Sequence, residues 1–128
     1  MSVQLNHAVV MSDDKEESAE FLATVLGLEF GVPFGSFRPV VVNDDLQLDF
    51  YDSPEPVQPT HYAFLVSEDE FTEIYSRIQQ ARIPYYADQN LQQPGEINRR
   101  DGGRGLYFED PSKHLMEVLT RPYGSGGS

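Results

Sequence analysis

Two histidines and two carboxylates in this chain have the residue types and spacing of a divalent-cation site. His7 opens the β-prone run His-Ala-Val-Val-Met, and His61 opens His-Tyr-Ala-Phe-Leu-Val. Glu117 alternates with apolar neighbours in Leu115-Met116-Glu117-Val118-Leu119, as Asp49 does in Leu46-Gln47-Leu48-Asp49-Phe50. A carboxylate in such a strand is costly to desolvate unless it is paired or holds a cation. Imidazole nitrogen with carboxylate oxygen is a donor set that suits Fe(II), Ni(II), Zn(II) and Mn(II). A lone strand histidine is better read as a hydrogen-bonded core residue. Recurrence at equivalent places of an internal repeat favours His7, His61 and Glu117 as one metal site. Asp49 reads three ways: a fourth ligand, a proton-handling or orienting group, or a plain polar residue of the cavity.

The repeat also defines the elements that must position these groups. Each half opens with a histidine-bearing strand that ends at a serine, Ser12 or Ser67, with acids behind it. Serine followed by acids is a helix N-cap pattern. Ala19, Leu22, Ala23, Val25 and Leu26 recur at helical spacing before Gly27, and Phe71, Ile74, Tyr75 and Ile78 do so before Pro84. Short strands follow. Val40–Val42 and Leu46–Tyr51 flank the turn Asn43-Asp44-Asp45, and Leu106–Phe108 and Leu115–Leu119 flank Asp110-Pro111-Ser112-Lys113. Each half therefore reads strand–helix–strand–strand–strand. The expected organisation is one domain over residues 1–123, with module one at 3–52, a proline-rich linker at 53–59 and module two at 60–121. Residues 124–128, rich in glycine and serine, are expected to be a flexible tail outside the fold. Residues 87–105 read as a long polar, glycine-rich loop.

Alternation puts Met116 and Val118 on one face of the last strand and Glu117 on the other. In the fourth strand it groups Gln47, Asp49 and Tyr51 opposite Leu48 and Phe50. Aligning the two final hairpins sets Asp49 over Glu117. If the halves pair about a pseudo-two-fold axis, their concave faces bring four ligand-type side chains together. Tyr51 and Tyr107 are expected on that face, either orienting substrate or simply packing. Arg104, with Arg99 and Arg100 in the same loop, could clamp an anionic or enolic substrate, although a solvated loop is the plainer reading. His114, in a turn, reads as a surface residue or one bonded to backbone.

Composition removes several classes. The 128 residues include no cysteine, so disulfides, thiolate metal sites and cysteine nucleophiles are excluded. A net charge of −12 disfavours nucleic acid and anionic membrane as partners. No membrane span or signal peptide is visible, and a cytoplasmic location is expected. Gly102-Gly103-Arg104-Gly105 lacks a lysine and precedes a strand, so it is no phosphate loop. There is no serine-hydrolase elbow.

Three segments carry a family resemblance over roughly residues 3–121: Leu5-Asn6-His7-Ala8-Val9, Thr60-His61-Tyr62-Ala63-Phe64-Leu65-Val66 and Tyr107-Phe108-Glu109-Asp110-Pro111-Ser112-Lys113-His114-Leu115-Met116-Glu117. The chain resembles the vicinal oxygen chelate superfamily, which includes glyoxalase I, extradiol dioxygenases, and bleomycin and fosfomycin resistance proteins. The last segment is the most specific, since the family often has Tyr-Phe-x-Asp-Pro-x-Gly-His before its ligand glutamate. Lys113 replaces the usual glycine, which affects the turn and not the ligands. The resemblance implies an α+β fold of two paired βαβββ modules forming a cupped mixed sheet with helices on the outer face. It implies His7, His61 and Glu117 as metal ligands, and a homodimer in which modules pair within or across chains.

Three chemistries suit that scaffold. The favoured one is a dioxygenase, with Fe(II) preferred and Ni(II), Zn(II) or Mn(II) as alternatives. Its substrate would be a catechol-like or enolisable aromatic that chelates through adjacent oxygens beside O2. Asp49 and Tyr107 would handle protons, and Tyr51 and Arg104 would bind substrate. The second is a glyoxalase-type isomerase or lyase with Asp49 as fourth ligand. The third is a metal-free resistance protein that binds a small molecule. A fosfomycin-type transferase fits poorly, because the serine and lysine pattern expected before Tyr107 is absent.

Overall fold

The structure, a computed structural model, describes residues 3–126. The chain divides into two compact α+β units, Met1–Gln58 and Pro59–Ser128.

The first unit runs β1 (His7–Ser12), α1 (Lys15–Leu26), β2 (Glu29–Phe30), β3 (Arg38–Asn43) and β4 (Leu46–Asp52). Its sheet has the order β1-β4-β3-β2, with β1 parallel to β4 and the other pairs antiparallel. Helix α1 starts later than the serine pattern suggests. Ser12 is fully buried as the last residue of β1. Asp14 caps the helix instead, its carboxylate accepting the Glu16 and Glu17 N–H groups at 3.0 and 3.2 Å. Gly27 ends the helix in the left-handed region (φ 72°), as its position after the apolar stripe predicts. Ala19, Leu22, Ala23 and Val25 are buried, as are Val10 of β1, Val40 of β3, and Leu48 and Phe50 of β4.

The second unit runs β5 (His61–Leu65), α2 (Glu68–Gln80), β6 (Gly105–Glu109) and β7 (Leu115–Leu119), with sheet order β5-β7-β6. Ser67 and Glu70 cap α2 reciprocally, each side chain accepting the other's backbone N–H. Phe71, Ile74 and Ile78 are buried, as are Leu106, Phe108, Met116 and Val118 of the sheet. The strand expected after α2 contracts to bridges: Tyr86 and Tyr107 exchange backbone hydrogen bonds at 2.8 and 2.9 Å, and Asn98 pairs with Gly105. Pro84 and Pro94 flank the Tyr86 bridge, and neither can donate to a ladder.

The Asp110–Lys113 turn is built around one carboxylate oxygen, which accepts the N–H groups of Ser112 and His114 at 2.9 and 2.8 Å. Lys113 adopts φ 72°, the conformation for which the family pattern keeps a glycine; a side chain there costs on the order of 1 kcal/mol. His114 is not a surface residue. It is 1 % exposed, its Nδ1 accepts the Thr60 N–H at 3.0 Å, and its ring meets Tyr62 edge-on. The backbone bond is the part of the sequence reading that holds.

Strand register matches the repeat. In β1–β4, His7 lies opposite Gln47 and Val9 opposite Asp49. In β5–β7, His61 lies opposite Leu115 and Ala63 opposite Glu117. In each unit the carboxylate therefore sits two residues beyond the histidine's partner on a parallel neighbour. No helix of the described residues is long and apolar enough to cross a membrane.

Candidate metal centre

In the second unit the parallel β5–β7 ladder carries His61 and Glu117 on adjacent strands, and their side chains meet. His61 Nε2 lies 3.0 Å from Glu117 Oε1. Glu117 is 1 % exposed, whereas the His61 side chain is 39 % exposed, so the pair opens on the histidine side. The other carboxylate oxygen, Oε2, accepts the Tyr123 hydroxyl at 2.5 Å. The Tyr123 oxygen in turn lies 3.1 Å from the Tyr107 oxygen, which accepts an Arg100 N–H at 2.6 Å.

Counting protons gives this network one direction. Each phenol has a single hydrogen, and a carboxylate only accepts. Tyr123 donates to Glu117, so Tyr107 donates to Tyr123 and Arg100 donates to Tyr107. Desolvation of its hydroxyl raises the Tyr123 phenol above the ordinary tyrosine range, and donation to Glu117 adds to the rise, although the residue as a whole is 59 % exposed; it keeps its proton at neutral pH. The Tyr107 contact raises the Arg100 guanidinium above its usual value, which keeps it cationic. A row of donors thus ends on a buried anion, and each bond polarises the next.

The first unit repeats the placement but not the contact. His7 is exposed, and its Nδ1 lies 2.8 Å from Asn6 Oδ1. An amide oxygen only accepts, so Nδ1 donates in this contact and Nε2 stays outside it. Asp49 is 7 % exposed and accepts the Gln47 side-chain N–H at 2.8 Å. Gln47, opposite His7 in the ladder, occupies the role toward Asp49 that His61 has toward Glu117. Tyr51 is half-buried and packs on Phe37, with ring centroids 5.3 Å apart.

Of the sequence candidates, His61, Glu117 and Tyr107 are brought into one hydrogen-bonded group. His7, Asp49 and Tyr51 lie in the first unit. Within either unit, among the described residues, no three histidine, aspartate or glutamate side chains gather closely enough to hold an ion by themselves. The His61–Glu117 pair nonetheless fits a divalent cation, which would take the place of the proton between Nε2 and Oε1. One nitrogen and one carboxylate oxygen face each other, and the anion is buried beside a half-open imidazole.

Arg104 sits elsewhere from its sequence reading. Its Nε and one terminal nitrogen bond Glu68 and Thr72 at 2.8 to 2.9 Å, and its guanidinium lies 4.5 Å above the Phe71 ring. Its donors brace α2, whereas Arg100 reaches the site. Arg104→Met should therefore lower stability by about 1 kcal/mol, as expected for a partly exposed ion pair with a cation–π contact. Metal affinity should not move. Urea unfolding and a Co(II) titration check both, and a weakened metal site would return Arg104 to the binding machinery.

Tyr123 was missed from sequence. It lies beyond the last strand, next to a tail left out of the fold. That tail is bonded where it is described: the Gly124 and Gly126 N–H groups donate to the two oxygens of Asp101 at 3.1 and 3.2 Å. Residues 127 and 128 of the expected flexible tail lie outside the described residues.

No family model matches the chain. Among solved structures, the oxidase ChaP-H2 is 55 % identical with a TM-score of 0.95, covering 99 % of this chain and 100 % of that one. The oxidase ChaP-H1 is 50 % identical with a TM-score of 0.92, covering 96 % and 99 %. Among curated relatives, the metallothiol transferase FosB of Lysinibacillus sphaericus is 29 % identical over 126 residues, 94 % of this chain and 84 % of that protein. The chain belongs to the vicinal oxygen chelate superfamily.

Proposed function

We propose that this protein is a metal-dependent enzyme of the oxidase type, and within that class a dioxygenase using Fe(II). The observation that carries the reading is the buried Glu117 carboxylate facing the half-open imidazole of His61 at 3.0 Å. The likeness to two proteins named oxidases supports it. His7 is the third ligand in this reading, as the resemblance of the sequence implies. When bound, the cation would supply a centre for adjacent oxygens of a catechol-like or enolisable substrate to chelate, with O2 beside them.

The chain's own groups do the remaining work. Glu117 supplies the negative charge that retains a divalent ion. Arg100 offers a fixed positive charge for a substrate oxygen that loses its proton on chelation, and Tyr107, whose single hydrogen goes to Tyr123, carries that polarisation on toward Glu117. Asp49, buried and held by Gln47, serves as a proton-handling group, and Tyr51 as an aromatic wall for substrate. The exposed Val3, Leu5, Val9, Val32 and Phe34 support a homodimer, which light scattering would test.

Anaerobic loading with Fe(II), followed by O2 uptake over a panel of catechols and polycyclic quinols, tests the activity. Silence across the panel together with Ni(II)-dependent isomerisation of a hemithioacetal would overturn it in favour of the glyoxalase type. Asp49→Leu separates the two chemistries. The dioxygenase reading expects metal retained and turnover down by about 100-fold, in the range of a lost acid–base group. Loss of metal from that variant would make Asp49 a fourth ligand.

A further inference from the structure

The network that ends on Glu117 has an anchor outside the sheet. After β7 the chain turns back, and Tyr123 donates to Glu117 Oε2. The next residues are tied down by Asp101, whose two oxygens each accept one N–H, from Gly126 and from Gly124. Asp101 lies in the single helical turn Arg100–Gly102 and takes a left-handed backbone (φ 56°). The same turn presents Arg100 to Tyr107. The segment runs flush against it, since a Cβ added at Gly126 would fall 2.2 Å from the Asp101 carbonyl oxygen. One turn thus fixes both the Arg100 and the Tyr123 ends of the network.

We propose that Tyr123 is a positioning residue for Glu117, held in place by the Asp101 clasp on residues 124–126; this rests on reading Glu117 as a cation ligand. With Oε2 committed to Tyr123, Oε1 is the oxygen turned to His61, so Glu117 serves as a ligand through one oxygen. A one-oxygen carboxylate leaves the cation a position more than a two-oxygen one. A substrate that chelates through adjacent oxygens and reacts with O2 needs that vacancy. Without Tyr123, the carboxylate is free to rotate in its pocket or to ligate through both oxygens.

The test compares parent, Tyr123→Phe and Asp101→Asn by two readouts. The first is the side-chain carboxyl resonance of Glu117 in metal-free protein labelled with carbon-13 glutamate, assigned by its absence in Glu117→Gln. The second is Co(II) affinity and visible spectrum under anaerobic conditions. Tyr123→Phe should shift the resonance, alter the Co(II) spectrum and weaken binding about 10- to 100-fold, the usual effect of losing a group that orients a ligand. Asp101→Asn should move both readouts in the same direction by less, and it serves as the test if Tyr123→Phe does not fold. An unmoved resonance with affinity within about twofold of the parent overturns the inference, whatever turnover does. A parent protein that binds no Co(II), but whose Glu117 resonance still responds to Tyr123→Phe, leaves the contact standing and removes the metal reading beneath it.

Discussion

Glu117→Gln should give a folded protein that has lost its cation. The amide is the same size and can still accept from Tyr123, so the packing around it survives. What disappears is the negative charge and the acceptor that faces His61 at 3.0 Å. Affinity for Co(II) or Fe(II) should fall by more than about 100-fold, beyond the loss typical of a merely orienting partner. Turnover should fall at least as far. Metal-free stability should fall by roughly 1–3 kcal/mol, the range for losing a charged hydrogen-bond partner, because His61 is left facing an amide. The clearest measurement is thermal unfolding with and without metal. A ligand at 100 times its dissociation constant stabilises a protein by about 2.7 kcal/mol. The parent should show that rise and the variant should not. A variant that keeps the rise would remove Glu117 from the ligand set, and the proposed function with it.

The largest effect on stability is expected at Phe71. Its side chain is fully buried, with the Arg104 guanidinium 4.5 Å above its ring and Tyr75 at 5.9 Å. Phe71→Ala removes the anchor of α2 and the platform under Arg104 together. A loss of about 3–5 kcal/mol is expected, a large fraction of the roughly 5–15 kcal/mol that holds a domain together. The urea midpoint should drop with an unchanged slope. Combining Phe71→Ala with Arg104→Met should cost less than the sum, because the two side chains share one contact. Strict additivity would mean that Arg104 owes nothing to the ring beneath it. A loss under 1 kcal/mol would mean that α2 is anchored elsewhere.

The contrast between Arg104 and Arg100 marks where sequence reading stops. Three arginines lie within six residues of a glycine-rich loop. Which of them reaches Tyr107 depends on the left-handed turn at Asp101, a conformation that no hydropathy pattern encodes. The strands and their register were legible, because alternation of period two and matched turns fix which residues lie opposite one another. That is why Asp49 and Glu117 fall at equivalent ladder positions as the repeat predicts. The start of α1 was less legible. Ser12 and Asp14 both have capping side chains, and only the burial of Ser12 at the end of β1 decides between them. Tyr123 was not legible, since a lone tyrosine before Gly-Ser-Gly-Gly-Ser has no periodicity. Asp101, which holds the glycines that follow it, comes beside this segment only through the fold.

The parallel pairing of β5 with β7 also has a consequence for the order of assembly. His61 and Glu117 are 56 residues apart in sequence, and everything between them must be laid down before their strands can join. Closing so long a loop carries an entropic barrier that local hairpins such as β6–β7 do not face. The hairpin and α2 can form early, and the cation's binding partners meet only at the late closure. Refolding followed by Co(II) absorbance should therefore lag behind refolding followed by helical circular dichroism. Until that closure the chain, though already partly structured, has no place for a metal.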